Sequence, residues 1–198
     1  SDARENQITY RHLNFDVFMT NPPFAGENPE QGLLRQYELA RKEGGKLKNN
    51  VERHILFIER SLDAIRPGGR LAIVLPQGVL NNTNMEYIRE WLFDKARILA
   101  VVGLHGNTFK PHTGTKTSVL FLQKWPSFAK ASDGQGRLKN YPIFMAVSQK
   151  AGKDNSGDYV YKKGVHDAKG RKVLDHDLDD IAEAFINFAK DQKFSFWE

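Results

Sequence analysis

The stretch FDVFMTNPPFAGENPE, residues 15–30, decides how the rest of the chain is read. Its first six residues form a short apolar run rich in β-formers, and Pro22 and Pro23 stop it, so the pattern predicts a buried strand. Asn21 precedes a proline, which pushes its backbone toward extended geometry and aims its side-chain carbonyl. Pro22 has no N–H but keeps a carbonyl with little local competition for it. Two hydrogen-bond acceptors therefore stand side by side, with the ring of Phe24 close behind them. The plainer reading is that the prolines punctuate a strand and Phe24 packs in a core, and for Pro23 it suffices as a rigid support.

The sequence on either side supplies the frame. Residues 25–50 read as a long polar loop with a helix at 32–42. Val51, Ile55, Ile58, Leu62 and Ile65 then recur at spacings of four and three, one face of an amphipathic helix, with Asn49 and Glu52 placed as a capping pair and Pro67-Gly68-Gly69 as its end. Residues 71–75 (LAIVL) have the pattern of a strand covered on both faces. A capping box at Thr83 and Glu86 opens a helix to about Lys95 with Met85, Ile88 and Leu92 inward. Strands follow at 98–104 and 117–123, and no helix-length segment separates them, so the pair is expected to be antiparallel at a sheet edge. A further strand at 143–147 and a helix at 178–189, with Leu178, Ile181, Phe185 and Phe188 on its apolar face, complete the chain.

This alternation predicts an α/β fold: a mostly parallel sheet with an antiparallel edge strand and helices on both faces. In such sheets ligands sit beyond the carboxyl ends of the strands, which is where the Asn-Pro-Pro-Phe segment falls. The expected organisation is a polar lead-in at 1–14, a main body at 15–125, and a strand, loops and acidic-capped helix at 126–198 packed on it.

Composition narrows the chemistry. The 198 residues can fill one substantial core with their 40% hydrophobic content. The absence of cysteine removes disulfides and thiolate metal sites, and His12, His54, His105, His112, His166 and His176 include no pair at zinc-ligand spacing, so no metal is expected. With no long apolar run and no secretory layout at the N-terminus, a cytoplasmic protein without a membrane partner is expected. Residues 175–198 carry a net charge of −5 and the remainder +10, a basic body that suits a polyanion.

Adjacent acceptors beside an aromatic face match one chemical need well. The exocyclic amine of a planar base or amide is a poor nucleophile, and as it attacks an electrophile its two protons turn acidic. Acceptors on those protons stabilise the developing charge, while Phe24 stacks on the ring.

At this point the sequence resembles a family. DVFMTNPPF is similar to the Asn/Asp/Ser-Pro-Pro-Tyr/Phe motif of amino-methyltransferases. ILFIERSLDAIRPGGRLAIVLPQGVLNN, GNTFKPHTGTKTSVLFLQK and IFMAVSQKAGKDNSG resemble the N-6 adenine-specific DNA methylases, above all the methylation subunits of type I restriction-modification systems. The resemblance implies a partial Rossmann-like methyltransferase fold, S-adenosylmethionine as methyl donor, and an adenine flipped out of double-stranded DNA. It assigns the amino protons to Asn21 and the Pro22 carbonyl and the stacking to Phe24. It makes Phe109, Thr115 and Lys116 candidates for base or phosphate contact, with an exposed polar loop as the alternative for each. A separate specificity subunit, and a restriction subunit, are the implied partners. A glutamine or RNA-base amino-methyltransferase and a non-catalytic DNA-binding or assembly module remain alternatives, although Phe in place of Tyr and TGTKTSVLFL favour DNA adenine.

The family's glycine-rich cofactor turn lies upstream of the Asn-Pro-Pro-Phe motif, and residues 1–14 do not supply it. PGGR at 67–70 and SDGQGR at 132–137 each read better as a turn. The chain therefore reads as the substrate half of a methyltransferase domain. Alone it is expected to bind S-adenosylmethionine weakly or not at all, and titration calorimetry checks this: clear saturable binding is the contrary result.

Overall fold

A computed structural model describes residues 13–126 and 140–194, so residues 1–12 of the expected lead-in at 1–14 and the turn at 132–137 lie outside the described residues. In chain order the elements are β1 (Phe15–Thr20), β2 (Glu27–Asn28), α1 (Gln31–Leu34), β3 (Val51–Glu52), α2 (Arg53–Ala64), β4 (Ile65–Pro76), α3 (Gly78–Asn81), a 3-10 turn (Thr83–Met85), α4 (Glu86–Lys95), β5 (Ala96–Gly103), β6 (Thr117–Lys124), β7 (Phe144–Val147), β8 (Tyr161–His166), β9 (Lys172–Leu174) and α5 (Leu178–Asp191). Five strands form one sheet in the order β1-β4-β6-β5-β7, and β2-β3 and β8-β9 are separate two-stranded ladders. The contacts divide the chain into two compact units, Ser1–Leu99 with Leu120–Tyr141 and Ala100–Val119 with Pro142–Glu198.

In the first unit β1 pairs parallel with β4, from Val17↔Arg70 to Thr20↔Ile73. The connection is helical, as a parallel crossover requires. Ile55, Ile58, Leu62 and Ile65 are buried as their spacing predicts, but so are Leu56, Glu59, Ser61 and Ala64, so α2 is enclosed on more than its apolar stripe. In β4, Leu71, Ile73 and Leu75 are fully buried, while Ala72 and Val74 are half-buried. In the second unit β7 pairs parallel with β5, from Ala100↔Phe144 to Gly103↔Val147. α5 packs on β7 through the rings of Phe185 and Phe188, each within 5.6 Å of Phe144.

Several expectations are corrected by tertiary contacts. Among the described residues β1 is an edge strand, with Phe15, Val17 and Met19 exposed by 41, 49 and 78%. β5 and β6 do run antiparallel: Leu104 N–H donates to the Thr117 carbonyl at one end of the pair and Trp125 N–H to the Lys95 carbonyl at the other. Yet the pair is not at the sheet edge: β6 lies between β4 and β5, and β7 adds beyond β5. The helix predicted at 32–42 is only the four-residue α1, succeeded by turns. Neither capping box forms: Val51 and Glu52 are taken up in the ladder with β2, and α2 and α4 begin without a side-chain cap. Leu178 is 40% exposed, so the apolar face of α5 begins at Ile181.

Pro67-Gly68-Gly69 is not a turn ending α2. It lies inside β4, as an irregularity in the ladder between Phe15↔Ile65 and Val17↔Arg70. Gly68 has φ +77, and a Cβ on Gly69 would lie 2.9 Å from the carbonyl oxygens of both Phe15 and Arg66. Only glycine permits that approach of two strands. Gly69→Ala is expected to destabilise the fold by about 1–3 kcal/mol, as overpacking does. Urea unfolding checks this as a lowered midpoint with an unchanged slope.

Candidate functional site

The four motif residues come directly after β1, at its carboxyl end. Asn21 and Pro23 are exposed, Pro22 is buried and Phe24 is half-buried. Among the described residues, no hydrogen bond uses the Asn21 side chain or the Pro22 carbonyl. Two acceptors fixed by proline geometry are thus left for a donor that the fold itself does not provide.

Past the motif the chain returns to α2. Gly26, at φ +93, accepts a hydrogen bond from Arg53 N–H at 3.0 Å, and a Cβ there would stand 3.3 Å from the Arg53 guanidinium. Glu27 and Asn28 then pair with Glu52 and Val51. The motif is therefore held from both sides, by β1 before it and by the ladder and α2 after it. At the other end of β1, Arg66 Nε donates to Asp16 Oδ1 at 2.6 Å, and this guanidinium holds the Asp16 carboxyl below the usual carboxylate range.

Later in the same connection, residues 36–40 are arranged by one side chain. Glu59 on α2 is 3% exposed and accepts the N–H groups of Glu38 at 2.8 Å and Leu39 at 2.9 Å, one on each carboxylate oxygen. Those two bonds draw the backbone off the helical path expected at 32–42. They also seat Leu34, Tyr37, Leu39 and Ala40 in the core. Burial pushes the Glu59 carboxyl up, and the two N–H donors offset only part of that. His54, also on α2, is 3% exposed; burial lowers its pKa, and Glu52 at 3.0 Å opposes the shift.

Phe109, Thr115 and Lys116 belong to the second unit, in the loop between β5 and β6, and are described apart from the motif. Phe109 is half-buried, and Thr115 and Lys116 are exposed. The loop is built from turns: Thr108 N–H and Oγ1–H both donate to the His105 carbonyl, and Thr113 N–H donates to that of Phe109. It is braced from below. Asn107 Nδ2–H donates to the Lys153 carbonyl at 3.3 Å and to Asn155 Oδ1 at 3.1 Å, and Lys153 Nζ donates to the Lys110 carbonyl at 2.9 Å.

The family profile for N-6 DNA methylase matches residues 2–197. The chain belongs to that family. Among curated proteins it is similar to the type I restriction enzyme EcoEI methylase subunit of Escherichia coli, 31% identical over 112 residues, which are 55% of this chain and 21% of that protein. Among solved structures, 96% of this chain overlays 34% of a type I restriction-modification methyltransferase subunit from Streptococcus thermophilus, with a TM-score of 0.55 and 22% identity. A structure from Listeria monocytogenes assigned to the class I S-adenosylmethionine-dependent methyltransferases covers 68% of this chain and is covered over 36% of its own, with a TM-score of 0.53 and 21% identity. The N-6 DNA methylase fold is therefore Rossmann-like here, and the chain spans about a fifth of the length of the EcoEI subunit it matches.

Within this family member, sequence reasoning missed Glu59, which it passed over as a polar position between buried Ile58 and Arg60. The available signal was the position itself: on the helix wheel Glu59 comes four residues after Ile55 and three before Leu62, so it faces inward. Because its carboxyl titrates at higher pH when folded, the stability it contributes is full below its unfolded value, near 4.5, and is lost as pH rises through the folded value. Glu59→Gln removes that slope and turns an NH₂ toward one of the two amides. Its unfolding free energy is expected to fall by about 1–3 kcal/mol, with the gap to wild type widening toward acid pH. Urea unfolding across that range measures it.

Proposed function

We propose that this chain holds the target amine in an enzyme that methylates N6 of adenine in duplex DNA, as part of the methylation subunit of a type I restriction-modification system. The observation that carries the reading is the pair of unengaged acceptors, Asn21 Oδ1 and the Pro22 carbonyl, at the carboxyl end of a strand in a parallel pair. S-adenosylmethionine, when bound, supplies a methyl group on a positively charged sulfur. The chain's own residues serve the amine. Asn21 and the Pro22 carbonyl each accept one of its protons, so that the positive character the nitrogen gains is met by oriented dipoles already in place.

Phe24 stacks on the flipped base and fixes its plane. Pro23 stiffens the turn. Phe109, Thr115 and Lys116, taken by themselves on the loop between β5 and β6, are the further candidates for contact with a DNA base or phosphate. The residues that hold the cofactor belong upstream of the motif, a reading supported by the open edge and exposed apolar face of β1. A specificity subunit and a restriction subunit are the proposed partners, in the cytoplasm. The names of the EcoEI and Streptococcus thermophilus proteins support this assembly. Among the described residues, no helix is long and apolar enough to cross a membrane.

The test uses the chain extended upstream together with its specificity subunit, and measures transfer of labelled methyl from S-adenosylmethionine to adenine in duplex DNA. Asn21→Ala is expected to lower the rate by about 100-fold or more, the scale of losing one preorganised transition-state partner. An unchanged rate in a folded variant overturns the assignment.

A further inference from the structure

Within the second unit, the ladder of β8 and β9 differs from the sheet strands in that β8 is exposed along its whole length, while Val173 and Leu174 of β9 are half-buried. All six residues of β8 are exposed, and Tyr159 beside it is 62% exposed. Two-stranded ribbons are marginal on their own, so this one is ordered by devices of its own. Asp167 sets its turn: the carboxylate accepts N–H groups from Lys169 and Arg171 at 2.9 Å and takes the Arg171 guanidinium at 2.7 Å. The root is fixed as well. Lys153 bridges to Tyr159, and a Cβ on Gly157 would fall 2.6 Å from the Pro111 nitrogen, so the turn below the ribbon lies directly against the 105–116 loop.

The ribbon carries charge rather than core. Between the pairs Tyr161↔Leu174 and His166↔Lys172, β8 runs through residues 162–165 while β9 has only Val173. The surplus bulges out at Lys162, Lys163 and Gly164, the last at φ +70. Bulges re-aim side chains, and the adjacent Lys162 and Lys163 at this one are both exposed. From Tyr159 to Leu174 there are five basic residues and one acid, Asp167, which Arg171 already occupies. Among the described residues, Lys162, Lys163 and Lys169 make no salt bridge.

We infer that this ribbon is a clamp on the phosphate backbone of duplex DNA, made by Lys162, Lys163, Lys169 and Lys172 with the hydroxyls of Tyr159 and Tyr161, and independent of base sequence. The inference rests on the proposed DNA substrate and adds a binding surface to it. Lysine is a point-charge ligand for phosphate, tyrosine hydroxyls also contact phosphate, and a two-stranded ribbon fits the major groove, about 12 Å wide. The ribbon shares its root with the loop assigned to the target strand. Duplex held on one would therefore be delivered to the other.

The test is anisotropy of a labelled duplex of guanine and cytosine only, titrated with the intact chain from about 50 to 200 mM salt. The variant Lys162→Ala/Lys163→Ala/Lys169→Ala is expected to bind at least tenfold more weakly at the lowest salt. Its plot of log affinity against log salt should be shallower by about 2 to 3, near 0.9 for each phosphate no longer neutralised. A control, Lys42→Ala/Lys46→Ala in the other unit, is expected to keep the wild-type slope, and circular dichroism should show both variants folded. Equal slope and affinity in the ribbon variant overturn the clamp, as does a wild-type chain that fails to bind duplex, or a ribbon-dependent loss on single strands alone. The adenine-free probe separates this outcome from the methylation reading: ribbon-dependent binding without methyl transfer by the assembled enzyme supports the clamp and overturns the activity.

Discussion

The parallel pairing of β1 with β4 is the constraint on which the rest of the site depends. It needs two things that work against each other: a crossover long enough to bring the chain back in the same direction, and strands close enough to exchange hydrogen bonds despite an irregular register. The crossover is α2, anchored by Ile55, Ile58 and Leu62, each burial being worth about 1.5–3 kcal/mol. The close approach is allowed by Gly69, whose missing side chain leaves room for the carbonyls of Phe15 and Arg66. Once β1 lies beside the buried core of β4, the chain must leave the sheet after Thr20. The prolines ensure that it leaves without satisfying the acceptors at Asn21 and Pro22.

Glu59 extends that constraint to the segment at 36–40. Desolvation opposes a buried carboxylate, and its pKa is raised for that reason; the bonds from Glu38 and Leu39 recover part of the cost. The return is order in a stretch with little helix of its own, where Leu34, Leu39 and Ala40 pack almost completely. Removing the acid would leave the buried Leu39 amide and the part-buried Glu38 amide without their acceptor, so carboxylate and loop stand or fall together. The second unit obeys the same logic with different parts. There Asp177 is held below the usual carboxylate range, burial being outweighed by Ser148 Oγ–H and Gln149 N–H, both donating at 2.6 Å. That contact ties the start of α5 to the end of β7.

Much of this was legible from residues alone. Apolar periodicity located α2, α4 and α5 to within a few residues, and the runs at 71–75 and 117–123 located the interior strands, because burial of those faces is what forms the elements. The local signals fared worse. Pro67-Gly68-Gly69 has the composition of a turn, yet the approach of a distant strand makes it a bulge in a strand. Asn49 with Glu52 and Thr83 with Glu86 have the spacing of capping boxes, yet Glu52 is claimed by the ladder with β2 and a 3-10 turn precedes α4. The β8–β9 ribbon left no apolar alternation to detect, since β8 is exposed along its whole length.

By itself the sequence determined the order of the longer helices and of the sheet strands and the end of β1, since proline geometry and hydrophobic spacing act over a few residues whatever surrounds them. Tertiary structure alone decided that β1 is an edge strand among the described residues, that β6 lies inside the sheet order, that a glutamate from α2 shapes the chain at 36–40, and that a basic ribbon is rooted on the 105–116 loop. Each of those outcomes depends on which distant backbone groups come within hydrogen-bonding distance. No local pattern carries that information, because it arises only when the chain closes on itself.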